Sequence, residues 1–299
     1  MTAPSIAGSR VWRDYVALTK PRIISLLLIT ALGGMVLAAG GWPDPLLIVL
    51  VVVSGYLAAG GANALNHGAE ADLDQKMRRT SRRPVASGRV PRRGAFAFGI
   101  VLNAAAFVLL AAFVNLLSAA LALSGTLIYV FVYTLGLKRT TPQNIVIGGA
   151  AGAVPPLVGW AAVTGTVELP AVFLFAIVFL WTPPHFWALA LLIKDDYAKA
   201  GIPMLPVVAT LAVTKRQILL YTLVLVALSA SFAATGAVGW VYLVSALALG
   251  AGFIFRAIRL ARGDGIDGAR GLYLFSLAYL ALLFGAVAAD TLVDRYLLG

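Results

Sequence analysis

The chain has 299 residues, of which 61% are hydrophobic and only 12% are charged, and its mean hydropathy is +0.93. This composition excludes a soluble globular domain of average make-up, and the absence of cysteine excludes disulfides, thiolate metal sites and cysteine nucleophiles. A net charge of +11 would suggest nucleic acid as the partner of a soluble protein. In so apolar a chain, however, the positions of the lysines and arginines indicate the membrane topology instead. We expect no nucleic-acid partner.

Apolar runs long enough to cross a bilayer follow one another along the chain. They fall at about 23–40, 46–66, 94–114, 116–136, 144–163, 169–192, 217–236, 239–256 and 271–290. The sequence therefore predicts an all-α polytopic membrane protein, a bundle of about nine transmembrane helices in a single domain over 23–299, preceded by a polar segment at 1–22. Only Asn115 separates the third run from the fourth, so a bundle of eight helices is the alternative.

Lysines and arginines are confined almost entirely to alternate connections. Of the 23 such residues, only Arg295 lies outside the N-terminal segment and the connections that follow the second, fourth, sixth and eighth runs. The positive-inside rule places the N-terminus in the cytoplasm and the C-terminus outside. Because no small-residue cleavage site follows a short apolar core, we interpret the first run as a retained helix and expect a bacterial plasma membrane protein, with its active cavity opening at the cytoplasmic face.

A regular series of oxygen-bearing side chains follows the second run. Asn66, Glu70 and Asp74 recur every four residues, so a continuing helix would place them on one face. Carboxylates at this spacing repel each other unless a cation lies between them. Oxygen-only ligands suit Mg²⁺, which usually completes its shell with substrate phosphate. With Asp72, the series predicts a site for a magnesium-bound diphosphate, the alternative being a solvated, acid-rich helix end.

A second acidic pair, Asp195 and Asp196, follows the sixth run. Both acidic connections leave even-numbered helices, so they lie on the same predicted side and can face each other across a cavity. We therefore expect cytoplasmic active-site loops at about 67–93 and 193–216. Glycine and prolines break the stretch 197–215 too often for a span, and its amphipathic character predicts a lid at the membrane surface.

Lys138 and Arg139 begin the connection after the fourth run. Thr141 is the predicted N-cap of the next helix and Pro142 its first residue. Helix N-termini attract anions, so the two cations beside one form a candidate phosphate contact. The alternative is that both are simply membrane anchors on the cytoplasmic side.

His185 is the one ionisable residue well inside a predicted run, directly after Pro183 and Pro184. Such a residue is a functional candidate, the alternative being that it donates to a backbone carbonyl left free by the prolines. It precedes Asp196 by three helical turns, so a straight helix would place it on the same face, roughly 16 Å deeper. His67, at the end of the second run, is interpreted as a surface residue.

These residues together resemble the UbiA-type family of intramembrane aromatic prenyltransferases. The first family motif is Asn with acids four and eight positions later, which Asn66, Glu70 and Asp74 match, with Glu replacing the commoner Asp. The second family motif is usually an Asp followed by another Asp four residues later. This chain departs from it, because Ala200 stands four residues after Asp196. A narrower resemblance, to the branch acting on haem, covers LTKPRI (18–23), DLDQKMRRTSRRP (72–84), YTLGLKRTTPQNIVIGGAAGAVPPLVGWAAVTG (133–165), WTPPHFWALAL (181–191), DDYAKAGIPMLPVV (195–208) and LFSLAYLALLF (274–284).

This resemblance implies transfer of a farnesyl group from farnesyl diphosphate to the 2-vinyl group of haem B, with addition of water. Haem B would be a substrate, and Mg²⁺ the cofactor. The implied catalytic residues are Asn66, Glu70, Asp74, Asp196 and His185; the metal ligands Asn66, Glu70, Asp72, Asp74, Asp195 and Asp196; and the contacts to diphosphate or haem propionate Lys20, Arg22, Arg78, Lys138, Arg139 and Lys199. His185 would position the water, or approach the haem iron or a propionate. Hand-off of the product to a haem A synthase or a terminal oxidase stays open.

Three other functions are compatible with parts of the sequence. The same diphosphate site would serve prenylation of a hydroxybenzoate or a chlorin. A secondary transporter could use His185 and interfacial acids for ion coupling, but it would need acids near the bilayer midplane, and Asp290 is the nearest candidate. The stretch from Asp264 to Arg270 resembles the motif of membrane phosphotransferases that use a CDP-alcohol, but the required spacing of alanine, arginine and further acids is missing.

Overall fold

The computed structural model describes the backbone of residues 6–298 and the side chains of residues 11–296. In chain order its α-helices are α1 (Ile6–Thr19), α2 (Pro21–Ala39), α3 (Pro45–Ala69), α4 (Ala71–Lys76), α5 (Arg92–Phe113), α6 (Leu116–Leu127), α7 (Asn144–Thr164), α8 (Leu169–Leu192), α9 (Lys194–Lys199), α10 (Leu205–Val208), α11 (Leu211–Ser231), α12 (Trp240–Arg262) and α13 (Ala269–Val293). Three irregular extensions lengthen α6, α11 and α13. A π-helix (Ile128–Gly136) and a 3₁₀ turn (Leu137–Arg139) continue α6, a 3₁₀ turn (Phe232–Thr235) continues α11, and a π-helical turn (Asp294–Leu298) continues α13.

Within residues 6–298, nine of these helices are long and apolar enough to cross a membrane, which confirms the predicted all-α bundle. Asn115 shows why the third and fourth spans are separate. Its backbone is extended, and its side-chain Oδ1 accepts a hydrogen bond from the amide of Ser118 at 2.8 Å, which caps the start of α6. The predicted N-terminal segment contains a helix, α1, that the polar composition of 1–22 did not predict.

The connections carrying most of the cations meet at one end of the bundle, which we call the basic end. Two ion pairs join them: Arg89 with Asp14 at 3.0 Å links the connection after α4 to α1, and Arg139 with Asp72 at 2.9 Å links the end of the fourth span to α4. Arg295 lies at the opposite end, where its guanidinium donates to backbone carbonyls at the end of α2. The alternation of basic and non-basic connections along the sequence therefore corresponds to two different ends of the bundle, one of them rich in lysine and arginine.

The 193–210 segment crosses the basic end as short helices and turns rather than as a span. Tyr197, Ile202 and Met204 are buried in one cluster with Leu73 and Met77, so this segment packs on the connection that follows α3. The predicted lid was too long at its C-terminal side. Helix α11 begins at Leu211, so residues 211–215 are the first turns of the seventh span.

Helices α2 and α7 approach each other through glycine. A Cβ at Gly34 would lie 2.5 Å from the carbonyl oxygen of Pro156, and a Cβ at Gly159 would overlap the carbonyl oxygen of Ala31. Small residues at such contacts allow two membrane helices to pack backbone against backbone. This contact fixes α2, whose first residues border the functional site, against α7.

We expect Gly159→Ala to lower the thermal unfolding temperature of the detergent-purified protein. The added methyl group forces the two backbones apart at a typical cost of about 1–3 kcal/mol, which outweighs the gain of up to about 1 kcal/mol from alanine's better helix propensity. Gly152→Ala on the same helix is the matched control, because its Cβ would meet no atom within 4 Å. Equal stability of the two variants would contradict the close contact between α2 and α7.

Candidate functional site

The series Asn66, Glu70 and Asp74 is buried at the basic end, with fractional exposures of 2%, 1% and 3%. Helix α3 ends at Ala69 and α4 begins at Ala71, but the i to i+4 hydrogen bonds continue through the junction. The amide of Glu70 donates to the carbonyl of Asn66 at 2.9 Å, and the amide of Asp74 donates to that of Glu70 at 2.8 Å. The prediction that the three side chains share one face is therefore confirmed.

Glu70 is paired with a lysine from the end of the fourth span. Lys138 Nζ lies 2.6 Å from Glu70 Oε2, and only 13% of the lysine side chain is exposed. The other oxygen, Oε1, is buried and has no hydrogen-bond partner. A buried carboxylate oxygen without a partner carries a desolvation cost, so this atom is a candidate ligand position for a cation.

Asp74 is held by Arg83, from the connection between α4 and α5. The Nη1 atom of Arg83 donates to both carboxylate oxygens, at 2.8 and 3.0 Å. Arg83 was not singled out in the sequence, where it is one cation among many in RRTSRRP. The local signal was the high density of cations, and only the fold shows which of them reaches the acid.

Asn66 is oriented by two partners. Its Nδ2 atom donates to Thr134 Oγ1 at 3.0 Å, and its Oδ1 atom accepts from Lys20 Nζ at 3.2 Å. Lys20 joins α1 to α2 with φ of 54°, a left-handed conformation that costs a non-glycine residue roughly 1–3 kcal/mol. The backbone of Lys20 is thus strained where its side chain contacts the site, and Thr134 is a second residue that sequence analysis missed.

Lys20 lies in a strongly electropositive environment. Burial, followed by the positive charge of Arg83, lowers the pKa of Lys20 to about 7, with Lys138 acting in the same direction. The carboxylates of Glu70 and Asp74 oppose this shift without cancelling it. Three basic side chains, Lys20, Arg83 and Lys138, therefore lie beside the two carboxylates, as expected for a place that receives a polyanion.

Asp72 and Arg139 lie apart from this buried group. Their side chains are 47% and 38% exposed, and they form a two-pronged ion pair at 2.9 Å. The hydrogen bond from Arg139 holds the pKa of Asp72 below its usual value. The structure therefore separates Asp72 from its neighbours Glu70 and Asp74, although all three follow one another closely in the sequence.

The second acidic pair approaches the first connection through the backbone. Asp196 Oδ2 accepts from the amide of Arg79 at 3.3 Å, whereas Asp195 is exposed. The two acidic connections therefore meet, as predicted. Among the described side chains, no three Asp, Glu or His residues lie close enough together to hold a metal ion by themselves.

The remaining predicted cations occupy different positions. Arg22, Arg78 and Lys199 are exposed at the basic end and do not line the cavity found there. This cavity has a volume of about 420 Å³ and is lined by Ala17, Lys20, Ile23, His67, Arg79, Arg82, Arg83, Pro84 and Arg89. It lies beside the acidic series and shares Lys20 and Arg83 with it.

His67 is the clearest correction to the sequence interpretation. It was expected at the surface, but it is 2% exposed, and neither ring nitrogen has a hydrogen-bond partner. Its position at the end of an apolar run could not show whether the ring faces lipid, water or the protein interior. The packing of α1 and the 77–91 connection around the end of α3 decides this.

His185 is held between two aromatic rings. Trp181 stacks on one side with ring centroids 4.2 Å apart and Tyr273 on the other at 5.0 Å. His185 Nδ1 lies 2.6 Å from Ser276 Oγ, whose own hydroxyl donates to the carbonyl of Tyr273. Nδ1 is therefore the donor and Nε2 the acceptor. The alternative of a bond to a carbonyl freed by the prolines is wrong.

Two local predictions also fail at helix ends. Helix α7 begins at Asn144 with Gln143 as its N-cap, so Thr141 and Pro142 lie in the preceding turn. Helix α8 ends at Leu192, and Ile193 leaves the helical conformation, so the extrapolation of a straight helix from His185 to Asp196 does not apply. A turn therefore precedes α7 where its first residues were predicted, and the single residue Ile193 separates α8 from α9.

Asp290 stabilises the fold. It is 4% exposed, and its carboxylate accepts from the backbone amides of Gly239 at 2.5 Å and Tyr242 at 3.0 Å, so it caps the N-terminus of α12. An acid used in this way stabilises a helix end. The fold therefore accounts for Asp290, which was the nearest candidate for the intramembrane acid of a transporter.

Removing the partner of Glu70 tests the central ion pair. We expect Lys138→Met to cost about 3–5 kcal/mol of stability, because it leaves a buried carboxylate uncompensated. The double variant Glu70→Gln/Lys138→Met should recover much of this loss in thermal unfolding. Arg139→Met is the matched control, and it should cost at most about 1 kcal/mol because its partner is half-exposed. A double variant no more stable than Lys138→Met would contradict this account of the pair.

This chain is similar to known proteins both in sequence and in fold. The family model described as the UbiA prenyltransferase family matches residues 27–283. A protein of Gloeobacter violaceus named protoheme IX farnesyltransferase is 52% identical over 285 residues, covering 95% of this chain and 93% of its own length. A protein of Chloroflexus aurantiacus with the same name is 51% identical over 298 residues and 97% of this chain, but this chain spans only 51% of its length.

The fold also resembles a solved structure. A UbiA homologue from Archaeoglobus fulgidus, bound to GPP and Mg²⁺, superposes with a TM-score of 0.66 at 18% identity, covering 92% of this chain and 99% of that one. At this identity the likeness concerns the fold alone. The family match over most of the chain, together with relatives about half identical to it, shows that the chain belongs to the UbiA prenyltransferase family.

Proposed function

We propose that the protein transfers a farnesyl group from farnesyl diphosphate to the 2-vinyl group of haem B, with addition of water, giving haem O and diphosphate. The choice of substrates rests on the similar proteins named protoheme IX farnesyltransferase. The observation that carries the diphosphate site is the buried Glu70, whose Oε1 atom has no partner, although Lys138 binds its Oε2 and Lys20 and Arg83 lie nearby.

The residues present fit a magnesium ion. Their donors are all oxygen atoms, and Glu70 Oε1 is buried and free of protein partners. Mg²⁺ usually needs only one or two protein carboxylates when phosphate oxygens complete its shell, so a closed cluster of three acids is unnecessary. Asn66, Glu70, Asp74 and Asp196 are the proposed ligands, with Asp195 nearby. When bound, the ion would supply positive charge to the diphosphate.

The cations around the site would stabilise the leaving group. Ionisation of the allylic C–O bond leaves its electron pair on the diphosphate, and Lys138, Lys20 and Arg83 are positioned around the acids that would bind it. Charged donors fixed in advance are an effective way to stabilise charge that develops in a transition state. Arg22, Arg78 and Lys199, being exposed, are proposed to attract the anionic substrates to this end.

Aromatic side chains next to the ion pair suit the allylic cation. Tyr129 and Tyr133 stack at 5.7 Å, and Lys138 Nζ lies 5.6 Å from the Tyr133 ring. Tyr197 belongs to the same buried cluster, and burial raises its pKa to about 12, so its phenol stays neutral. Aromatic faces attract cations, and the buried cluster excludes water that would quench a farnesyl cation.

The acceptor then completes the reaction. The terminal vinyl carbon uses its π electrons to form a carbon–carbon bond with the farnesyl cation, which leaves positive charge on the carbon next to the pyrrole. Water adds there and loses a proton, giving the hydroxyl group. His185 is the proposed residue that orients this water, because Nδ1 donates to Ser276 and Nε2 remains able to accept a hydrogen bond.

The orientation in the membrane is also a proposal. The positive-inside rule places the basic end, and with it the acidic series and the cavity, in the cytoplasm, with Arg295 outside. The similar proteins are bacterial, which favours the plasma membrane. Residues 23–299 are proposed to form one transmembrane domain, with active-site loops at about 67–93 and 193–210 and the N-terminal segment beside them.

Incubating the purified protein in detergent with haem B, farnesyl diphosphate and Mg²⁺ should yield a haem heavier by farnesyl plus hydroxyl, as detected by mass spectrometry. EDTA should abolish the product and excess Mg²⁺ should restore it, because charge neutralisation of the diphosphate is required for ionisation. Release of diphosphate without a modified haem would mean that the acceptor is another aromatic compound. Equal activity with EDTA would refute metal dependence.

Neutral replacements within the acidic series should abolish turnover, as measured at a temperature at which each variant is still folded. We expect Glu70→Gln and Asp74→Asn each to lower kcat by at least about a hundredfold, the range typical for removal of one strong electrostatic contribution. Asp267→Asn is the matched control, since Asp267 is exposed at the same end between α12 and α13. Wild-type turnover in both site variants would rule out the proposed diphosphate site.

A further inference from the structure

Positively charged side chains, but no acidic ones, line the cavity at the basic end. Five of its lining residues are basic, namely Lys20, Arg79, Arg82, Arg83 and Arg89, and no Asp or Glu lines it. Within residues 11–296, Arg83 and Arg89 have carboxylate partners, whereas Arg79 and Arg82 have none within ion-pair distance. A concave surface of this kind concentrates anions.

A buried histidine points to a ligand in the same cavity. His67 lines it, is 2% exposed, and has no hydrogen-bond partner at either ring nitrogen. Buried polar groups in proteins are nearly always paired, so an imidazole with two free nitrogens is explained by a ligand that fills the cavity. At least one of these nitrogens carries a proton and can donate to an anion.

The wall between the cavity and the acidic series identifies the kind of anion. Arg83 lines the cavity and also binds both oxygens of Asp74, so the two compartments are adjacent but distinct. A diphosphate on Mg²⁺ requires carboxylate ligands, which only the acidic series offers. The cavity offers no such ligands, and its guanidinium groups bind a carboxylate or a phosphate directly, through two parallel hydrogen bonds. Ala17, Ile23 and Pro84 add an apolar lining.

We propose that this cavity is the subsite for the carboxylate-bearing edge of the acceptor, in which His67, Arg79 and Arg82 bind the two propionates of haem B. The proposal rests on the proposed function, because it takes the acceptor from it. With the propionates here and the diphosphate on the acidic series, Arg83 stands between the two substrates. The anionic edge of the acceptor is then anchored separately from the leaving group.

Equilibrium binding tests this subsite without requiring turnover. The wild-type protein and Arg82→Gln are titrated with haem B and with its dimethyl ester, followed by the absorbance of the haem, in the absence of farnesyl diphosphate. Losing one charged hydrogen-bonding contact should raise the Kd for haem B about tenfold. The ester lacks the anionic oxygens, so its Kd should be the same for both proteins. Arg82→Lys should recover part of the affinity.

Arg93→Gln is the charge-matched control, because Arg93 is exposed at the basic end outside the cavity lining. Its Kd for haem B should equal that of the wild type. Unchanged haem B binding by Arg82→Gln would overturn the subsite, as would equal losses for haem B and the ester. A defect in binding farnesyl diphosphate with Mg²⁺, but not haem, would assign the cavity to the diphosphate and overturn it too. Failure to farnesylate haem would instead refute the proposed function, whatever the binding results.

Discussion

Neutralising buried charge is the constraint on which the site depends. Glu70 is almost completely buried at the end of a membrane helix, and an isolated carboxylate there would cost several kcal/mol. Lys138 offsets this cost for one of its two oxygens. The lysine comes from a different span, 68 residues along the chain, so the ends of the second and fourth spans must meet. The free second oxygen keeps the pairing incomplete on the side proposed for the metal.

Arg83 extends the same principle to the neighbouring connection. Its bidentate contact with Asp74 ties the 77–91 stretch to α4, and its position in the cavity wall brings a cation to both compartments. One side chain thus separates an acid-containing part of the basic end from a cavity that no Asp or Glu lines. Under the proposed function, two anionic substrates would bind on either side of Arg83, which suits a reaction that joins them.

The sequence predicted the features that depend on local pattern and length. Apolar runs gave the nine spans to within a few residues at most ends, and the spacing of Asn66, Glu70 and Asp74 gave their common face. It could not predict which cation pairs with which acid, because Lys138 and Arg139 are adjacent, yet one is buried against Glu70 and the other binds Asp72 in solvent. The burial of His67 and the contact of Thr134 with Asn66 likewise depend on elements far apart in the chain.

The π-helix at the end of the fourth span has a consequence for this ion pair. Residues Ile128–Gly136 lie between the regular helix α6 and Lys138. Winding this stretch into a regular α-helix would change the register of everything that follows, and one residue of register corresponds to a rotation of about 100°. Lys138 would then turn away from Glu70. The pairing of Lys138 with the buried carboxylate of Glu70 therefore depends on the π-helical winding of the fourth span.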